Sequence, residues 1–327
     1  MTKGLKQKII EKTAPDLKKV EAALEYHLKP NLDLVRKIAS HLLFSGGKRL
    51  RPLLMIHSAR LCGYNNGFEI EFSIIFEYLH AATLLHDDVV DKADTRRGKK
   101  AAHTKWSASK VVLTGDFLLA RALDIAAKTK EPNIISVIAK ITQDMSQGEI
   151  DQLGKKGKLN LSEEEYLEVI KRKTAVLIQG ACQSGAILAK AQKEKEDDLN
   201  QYGFHLGMAF QMADDLLDYT ASAKELGKNP GADMREGKLT LPLIHSLANA
   251  APDDKIWMQD AITAPEFNKD QFEKLKEKLY LYKGIEYTFD RAKGHVKRAK
   301  ACLDGFNDCQ SKQLLCWIAD YSIARKV

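Results

Sequence analysis

Two short acidic clusters of the same form, Asp-Asp-x-x-Asp, constrain this chain more than any other feature of its sequence. The first spans residues 87–91 and the second spans residues 214–218. Each lies in an apolar run with helical spacing, so the first and last carboxylates of a cluster project from one side of a helix. Like charges at that spacing destabilise an isolated helix, and something has to compensate for them. A solvated helix end would explain one such cluster, but it explains two poorly.

The acidic residues themselves indicate a divalent metal site. If the two helices face each other, six carboxylates converge: Asp87, Asp88, Asp91, Asp214, Asp215 and Asp218. Mg²⁺ is the cation that fits best, because it takes oxygen ligands and usually bridges carboxylates to the phosphates of a substrate. Calcium storage is a poorer explanation, since the sequence has no DxDxDG loop. The clusters therefore predict a Mg²⁺ site for a phosphorylated ligand.

The remainder of the chain predicts helices almost throughout. Apolar residues recur at helical spacing, for example across 74–85 and 111–122, whereas the alternation typical of strands is scarce. Ser162 precedes an acidic first turn, which predicts a helix from there through Ala191. No linker rich in serine or glycine interrupts the 327 residues. We therefore expect an all-α fold in a single domain spanning 1–327.

Composition narrows the functional classes. The net charge of +7 is compatible with nucleic acid, an acidic membrane surface or anionic small molecules, and does not choose among them. The five cysteines are scattered without metal-type CxxC spacing, which indicates reduced thiols. No segment has the roughly 18 consecutive apolar residues of a membrane span, and the first residues lack the pattern of a signal peptide. We expect a cytoplasmic protein that is neither secreted nor membrane-spanning.

Basic residues near the acidic clusters indicate an anionic ligand. Residues 45–52, Ser-Gly-Gly-Lys-Arg-Leu-Arg-Pro, join two glycines to three cations at the start of an apolar helix, where amides and cations can hold a phosphate. Arg96 and Arg97 follow the first cluster directly, and a guanidinium group grips phosphate oxygens bidentately. Lone lysines elsewhere are more often surface residues: Lys173, Lys228 and Lys238. His80 and His86 flank the first cluster, and neither is assigned to a metal.

Taken together, the motifs resemble those of the polyprenyl synthetases, the trans-isoprenyl diphosphate synthases. The resemblance rests on GGKRLRP, HDDVVDKADTRRG, a mid-chain KT, FQMADDLLD and GKLTLP, in that order, between about Gly46 and Pro242. Within the family, the sequence is similar to the bacterial octaprenyl diphosphate synthases. The resemblance implies an antiparallel helix bundle around a deep central cavity, both aspartate clusters at its mouth, and a homodimer. Isopentenyl diphosphate and an allylic diphosphate such as farnesyl diphosphate are the implied substrates, with no nucleic acid partner.

The resemblance also implies roles for individual residues. Asp87, Asp91 and Asp214 would be the principal Mg²⁺ ligands, with Asp88, Asp215 and Asp218 in support. The residues implied for the allylic diphosphate are Arg96, Lys173, Thr174, Gln211 and Lys228. Those implied for isopentenyl diphosphate are Lys48, Arg51, His80 and Arg97, beside the Gly46-Gly47 turn. Lys238 and Gln152 are further candidates, and the sequence does not choose between Lys228 and Lys238.

The expected reaction follows from the charges. Metal ions and cations stabilise the departing diphosphate, an allylic carbocation forms away from water, and the alkene of isopentenyl diphosphate attacks it. The resemblance implies that the released diphosphate accepts the proton that is then lost. A terpene cyclase is a rival interpretation, but it has no need of Lys48 and Arg51. A non-catalytic regulatory subunit is another, but it would be expected to lose the aspartates, which are complete here.

Product length should depend on residues one and two turns before Asp87, namely Leu79, Ala82 and Thr83, with Phe117 and Ala126 as further candidates. No bulky aromatic residue blocks that path, which favours a long-chain product, octaprenyl diphosphate in particular. Geranylgeranyl or another chain length stays an alternative, because the floor of the cavity lies on other helices. Transient contact with a membrane surface during product release also stays open.

Overall fold

The computed structural model describes residues 2–221, 231–264 and 268–324. Almost all of its regular structure is helical, as expected. The α-helices in chain order are α1 (Thr2–His27), α2 (Asp33–Leu43), α3 (Leu50–Leu61), α4 (Phe68–Val90), α5 (Ala102–Lys105), α6 (Ala108–Ala127), α7 (Pro132–Lys155), α8 (Glu163–Ile170), α9 (Val176–Leu188), α10 (Lys193–Thr220), α11 (Ala232–Arg235), α12 (Leu241–Asn249), α13 (Pro252–Thr263), α14 (Lys269–Leu281), α15 (Gly284–Ala301) and α16 (Gln310–Ile323). Two short antiparallel strands, β1 (Thr95–Arg96) and β2 (Lys99–Lys100), follow α4.

The helix predicted from Ser162 begins as expected but is not uniform. The Ser162 hydroxyl accepts a hydrogen bond from the Glu165 amide at 3.2 Å, and the Glu165 carboxylate accepts one from the Ser162 amide at 2.9 Å. A π-helical turn, Lys171–Ala175, then joins α8 to α9. The predicted end at Ala191 is wrong by three residues: the helix stops at Leu188, and Lys190 adopts a left-handed conformation with φ of 52°.

The two helices that carry the acidic clusters occupy the interior of the fold. α4 packs against α6 and α3, while α10 packs against α9 and α15. Leu79, Ala82 and Leu85 of α4 are buried in one core with Leu118 and Ala126 of α6. Burial of these apolar faces fixes both helices, and the clusters lie near their C-terminal ends.

Two glycines let neighbouring helices approach the π-helical turn closely. A Cβ atom on Gly207 of α10 would lie 2.5 Å from the Cα atom of Ala175, and one on Gly148 of α7 would lie 2.6 Å from the Arg172 Cβ. Any larger residue would push these helices away from the turn. The glycines therefore bring α7 and α10 to the segment that contains Lys173 and Thr174.

None of the helices in the described ranges combines the length and the apolar character that a membrane span requires.

Candidate active site

The three carboxylates of the first cluster have different surroundings. Asp88 is buried and accepts a hydrogen bond from the Arg96 Nε at 2.7 Å. Asp87 is half-buried, and burial raises the pKa of its carboxyl group to about 6 despite the nearby ammonium of Lys173. Burial also opposes ionisation of Asp91, but the ammonium of Lys238, 3.1 Å from its Oδ2, outweighs that effect and lowers its pKa.

The second cluster is largely bound to the protein itself. Buried Asp215 accepts hydrogen bonds from the Tyr166 hydroxyl at 2.6 Å and from the Gln211 side-chain amide at 2.7 Å. Desolvation of this carboxyl, followed by the charge of Asp233, raises its pKa well above the usual value. Asp218, fully buried, accepts hydrogen bonds from the backbone amides of Ala232 and Asp233, at 3.3 and 3.1 Å. Asp214, by contrast, is exposed.

Three of the six carboxylates are therefore hydrogen-bonded within the protein. Asp88, Asp215 and Asp218 are held by an arginine, a tyrosine and backbone amides, because each lies on the buried side of its helix. Across the described ranges, no three acidic, histidine or cysteine side chains are grouped closely enough to hold a metal ion.

The donor atoms nevertheless fit a hard divalent cation. Among the described side chains, Asp91 Oδ1 and Glu149 Oε1 are buried carboxylate oxygens without a hydrogen-bond partner. Buried oxygens of this kind cost free energy unless a donor or cation satisfies them. Asp87 lies close enough to these two residues that the charges of Glu149 and Asp91 both raise its pKa. Carboxylate oxygens are the ligands that Mg²⁺ prefers, so these residues suit it.

The π-helical turn places Lys173 and Thr174 between the two clusters. The Lys173 ammonium lies 2.7 Å from Glu149 Oε2, and its charge acts on both Asp87 and Asp91. The Thr174 hydroxyl donates to Gln211 Oε1 at 2.7 Å, and Gln211 in turn donates to Asp215. Such turns often mark functional sites. The structure thus brings together Lys173, Thr174 and Gln211, which the sequence analysis had grouped.

Two residues in this region were not identified from sequence. Glu149 pairs with Lys173, and Tyr166 holds Asp215. Glu149 follows Gly148, a glycine in the interior of a helix. Because such a glycine often permits close packing, it could have indicated that Glu149 lies at a helix contact. Tyr166 carried no comparable signal, since a tyrosine at a helical core position is ordinary.

A second group of cations surrounds His80, two turns before Asp87 on α4. Burial, followed by the charges of Arg51, Arg97, Arg96 and Arg49, lowers the pKa of His80 well below its usual value. Burial also lowers the pKa of Arg51 to about 10, against the opposing charge of Glu77. The neutral imidazole thus lies in a region rich in guanidinium groups, two of which are paired with Glu77 and Asp88.

The Gly46-Gly47 turn lies at the edge of this group of cations. Gly46 and Gly47 have positive φ values of 98° and 152°, and the Arg97 guanidinium donates to the Gly46 carbonyl. A Cβ atom on Gly47 would lie 3.3 Å from Nη1 of both Arg49 and Arg97. Glycine is therefore favoured here by its backbone conformation, and a larger residue would also displace the two guanidinium groups slightly.

Arg49 and Lys48 are adjacent in the sequence but differ in their burial and in their contacts. Arg49 is buried and binds Glu21, Glu77 and the Leu43 carbonyl, at 2.7, 2.7 and 2.6 Å, so it joins α1, α2 and α4. Its role is structural, which the sequence did not reveal because its partners are distant along the chain. Lys48 is exposed, with its ammonium 5.6 Å from the centre of the Tyr321 ring.

The residues expected to limit product length lie where α4 meets α6. Leu79 and Ala82 are each 3% exposed, and Thr83 is half-buried with its hydroxyl donating to the His80 carbonyl. Phe117 and Ala126 of α6 belong to the same core. Leu79, Ala82 and Ala126 are therefore more buried than Asp87. Lys228, predicted to bind diphosphate, lies outside the described residues.

A cleft of about 130 Å³ opens beside the clusters. It runs between α7, α8, α10 and residues 237–240, and the residues that matter for chemistry are Gln152, Lys156, Lys173, Thr174, Gln211, Asp215 and Lys238. Of the sixteen described residues that form its walls, none belongs to α4. The cleft is therefore a space for the charged part of a ligand at the mouth of the bundle.

Known proteins share both the sequence and this architecture. A model of the polyprenyl synthetase family matches residues 32–279. Octaprenyl diphosphate synthase of Escherichia coli (strain K12) is 35% identical over 319 residues, which cover 98% of either chain. A polyprenyl synthase from Caulobacter crescentus CB15, complexed with calcium and isoprenyl diphosphate, is 36% identical with a TM-score of 0.92 over 98% of both chains. A decaprenyl diphosphate synthase from Rhodobacter capsulatus is 34% identical with a TM-score of 0.91, covering 98% of this chain and 99% of that one.

Proposed function

The chain belongs to the polyprenyl synthetase family, and from that premise we propose that it makes octaprenyl diphosphate from isopentenyl diphosphate and an allylic primer such as farnesyl diphosphate. It is a prenyltransferase, a long-chain trans-polyprenyl diphosphate synthase. The observation that supports the proposal best is the presence of two separate cationic groups along α4. Lys173 and Lys238 act on Asp91, and Arg51 and Arg97 act on His80. Two anionic substrates can thus be held next to each other.

The proposed allylic site consists of the carboxylates and the cleft. Asp87, Asp91 and Asp214 would hold Mg²⁺, which neutralises the diphosphate as it departs. Lys173, Thr174, Gln211 and Arg96 would bind the same diphosphate, with Lys238 beside Asp91. Asp88, Asp215 and Asp218 support the site indirectly by orienting Arg96, Gln211 and the start of α11. Lys228, which lies outside the described residues, would bind the same diphosphate.

The proposed isopentenyl diphosphate site consists of Lys48, Arg51, His80 and Arg97. Because His80 is neutral, its ring can donate one hydrogen bond without adding a charge to repel the neighbouring arginines. Arg96 contacts Asp88 and also acts electrostatically on His80, so it lies between the two sites. The alkene of one substrate would therefore approach the allylic carbon of the other, and the released diphosphate would accept the proton that is lost.

The proposed product length depends on the apolar path past Ala82 and Thr83. The relatives named for octaprenyl and decaprenyl products match nearly the whole chain, which supports a long product. Leu79, Ala82 and Ala126 are small or flexible enough to let a growing chain pass between α4 and α6. An octaprenyl chain is the length we propose.

We also propose a homodimer and a cytoplasmic enzyme built as a single domain over 1–327. Exposed apolar side chains on α6 and α7 support the dimer: Leu113, Leu123, Ile135 and Ile150 are 65%, 39%, 38% and 70% exposed. Five free cysteines are compatible with a reducing compartment. Light scattering should report twice the chain mass, and Ile150→Glu should reduce it towards the monomer. A monomeric wild type would contradict the dimer.

The direct test is product analysis. Purified protein would be incubated with Mg²⁺, farnesyl diphosphate and labelled isopentenyl diphosphate, and the dephosphorylated products would be sized by thin-layer chromatography, with Asp87→Ala as control. A ladder that ends near octaprenol supports the proposal. A product that stops at geranylgeraniol would leave the chemistry intact but contradict the proposed length. No condensation with any allylic primer would contradict the function itself.

A further inference from the structure

Two glycine-containing loops from distant parts of the chain are joined directly beside Asp91. The Gly157 amide donates a hydrogen bond to the Gly237 carbonyl at 2.9 Å. A Cβ atom on Gly237 would lie 3.3 Å from the Gly157 nitrogen, so the close approach depends on a glycine, which also has a positive φ of 74°. The contact places Lys156 and Lys238, one residue from each glycine, on the same side of the site.

Both lysines face the same carboxylate, at different distances. The Lys238 ammonium is hydrogen-bonded to Asp91 Oδ2 at 3.1 Å, whereas the Lys156 ammonium lies 3.6 Å from Oδ1. Oδ1 is buried and has no hydrogen-bond partner among the described residues. Lys156 is thus close enough to neutralise Asp91 but is not held there. Its side chain, 37% exposed, can reorient at little cost.

The same ammonium also borders the cleft. Lys156, Lys173 and Lys238 line it together with Lys155, so four cations surround a space for the phosphates of a ligand. A divalent cation at Asp91 would repel the two nearby ammonium groups. The diphosphate that accompanies the metal would attract them, since a Mg²⁺ diphosphate complex retains negative charge.

We propose that Lys156 is a further substrate-binding residue, which neutralises Asp91 in the metal-free enzyme and binds the allylic diphosphate when metal and substrate enter together. The inference rests on the proposed function of the site, and it adds a residue from the loop after α7. Lys155, its neighbour, also lines the cleft, but its ammonium is hydrogen-bonded to Asp151 of its own helix at 2.8 Å.

The test separates binding of the metal from binding of the diphosphate. Lys156→Gln, Lys156→Arg and Lys158→Gln would be compared with the wild type. Lys158 is an exposed lysine of the same loop that does not line the cleft, so it controls for loss of one charge. Mn²⁺ binding without diphosphate would be measured by electron paramagnetic resonance, and inorganic pyrophosphate binding at saturating Mg²⁺ by calorimetry.

The expected changes in Mn²⁺ affinity and in pyrophosphate affinity have opposite signs. Lys156→Gln should bind Mn²⁺ about two- to fivefold more tightly, because a competing cation is removed, and pyrophosphate about tenfold more weakly. Lys156→Arg and Lys158→Gln should stay near the wild type in both measurements. Equal pyrophosphate affinities for Lys156→Gln and Lys158→Gln would overturn the inference, as would a parallel loss of both affinities, which indicates collapse of the loop. Failure of the wild type to bind pyrophosphate with Mg²⁺ would overturn the proposed function as well.

Discussion

The ammonium of Lys238 lies 3.1 Å from Asp91 Oδ2, although 147 positions separate the two residues along the chain. The contact joins the end of the first acidic cluster to the loop that follows the second. Lys238 also pairs with Glu236, and these charges outweigh its burial and raise its pKa. Lys238 therefore stays protonated throughout the physiological range and remains available to a diphosphate.

Asp87→Asn should stabilise the metal-free protein while abolishing turnover. The folded-state pKa of Asp87 is about 6, above its usual value, so ionisation opposes folding at neutral pH. The substitution removes that cost, about 1–3 kcal/mol at pH 8. The gain should shrink as the pH falls from about 6 towards about 4, where the folded carboxyl group is already neutral. Urea unfolding in the presence of a chelator, at pH 8 and at pH 4.5, measures both effects.

Asp88→Asn is the matched control for that experiment. Its carboxylate is bonded to Arg96, so the substitution should destabilise the protein by about 1–3 kcal/mol instead of stabilising it. If both asparagine variants lost stability at pH 8, the argument that ionised Asp87 opposes folding would be refuted.

Tyr166→Phe tests whether Asp215, which Tyr166 holds in place, supports substrate binding by orienting Gln211. The variant loses a buried hydrogen bond of 2.6 Å to Asp215, which should cost about 1–2 kcal/mol of stability and raise KM for the allylic diphosphate by several-fold. Tyr202→Phe, which loses a buried bond of 2.9 Å to the Leu315 carbonyl, should cost similar stability but leave KM unchanged. Identical kinetics for the two variants would argue against a role of Tyr166 in the site.

Gly207→Ala should disturb the active site by displacing α10 from the π-helical turn. The new Cβ atom would lie 2.5 Å from the Cα atom of Ala175, so α10 must move away from the π-helical turn and separate Gln211 from Thr174. We expect a loss of about 1–3 kcal/mol in unfolding free energy and a lower kcat. Gly294→Ala on α15, where the nearest described atom is 3.9 Å away, should be neutral or stabilising. Wild-type melting temperature and kcat for Gly207→Ala would refute the packing argument.

Ala82→Phe should shorten the product. Ala82 is 3% exposed between α4 and α6, and an aromatic ring there would fill the path proposed for the growing chain. Chromatography should show a ladder that ends several isoprene units earlier, while the first condensation proceeds. Circular dichroism would verify that the variant is folded. An unchanged product length in a folded variant would place the path elsewhere.

Much of the fold could be predicted because its signals are local. Apolar spacing predicts the helices, and the Ser162-Glu165 pair predicts where α8 starts, since both depend on residues within one or two turns. The positions of the acidic clusters on α4 and α10 follow from the same periodicity. The family could also be identified, because its motifs are short, ordered segments.

The sequence therefore indicates the helical class, the family and the residue types available for metal and phosphate. Only the folded bundle shows which of those side chains are already bound within the protein. Asp215 is held by Tyr166, Arg49 by Glu21 and Glu77, and Asp91 by Lys238. Each partner comes from another helix or loop, and only the packed bundle brings them within hydrogen-bonding distance. Pairing over such separations depends on how helix faces pack together, which no local pattern of residues encodes.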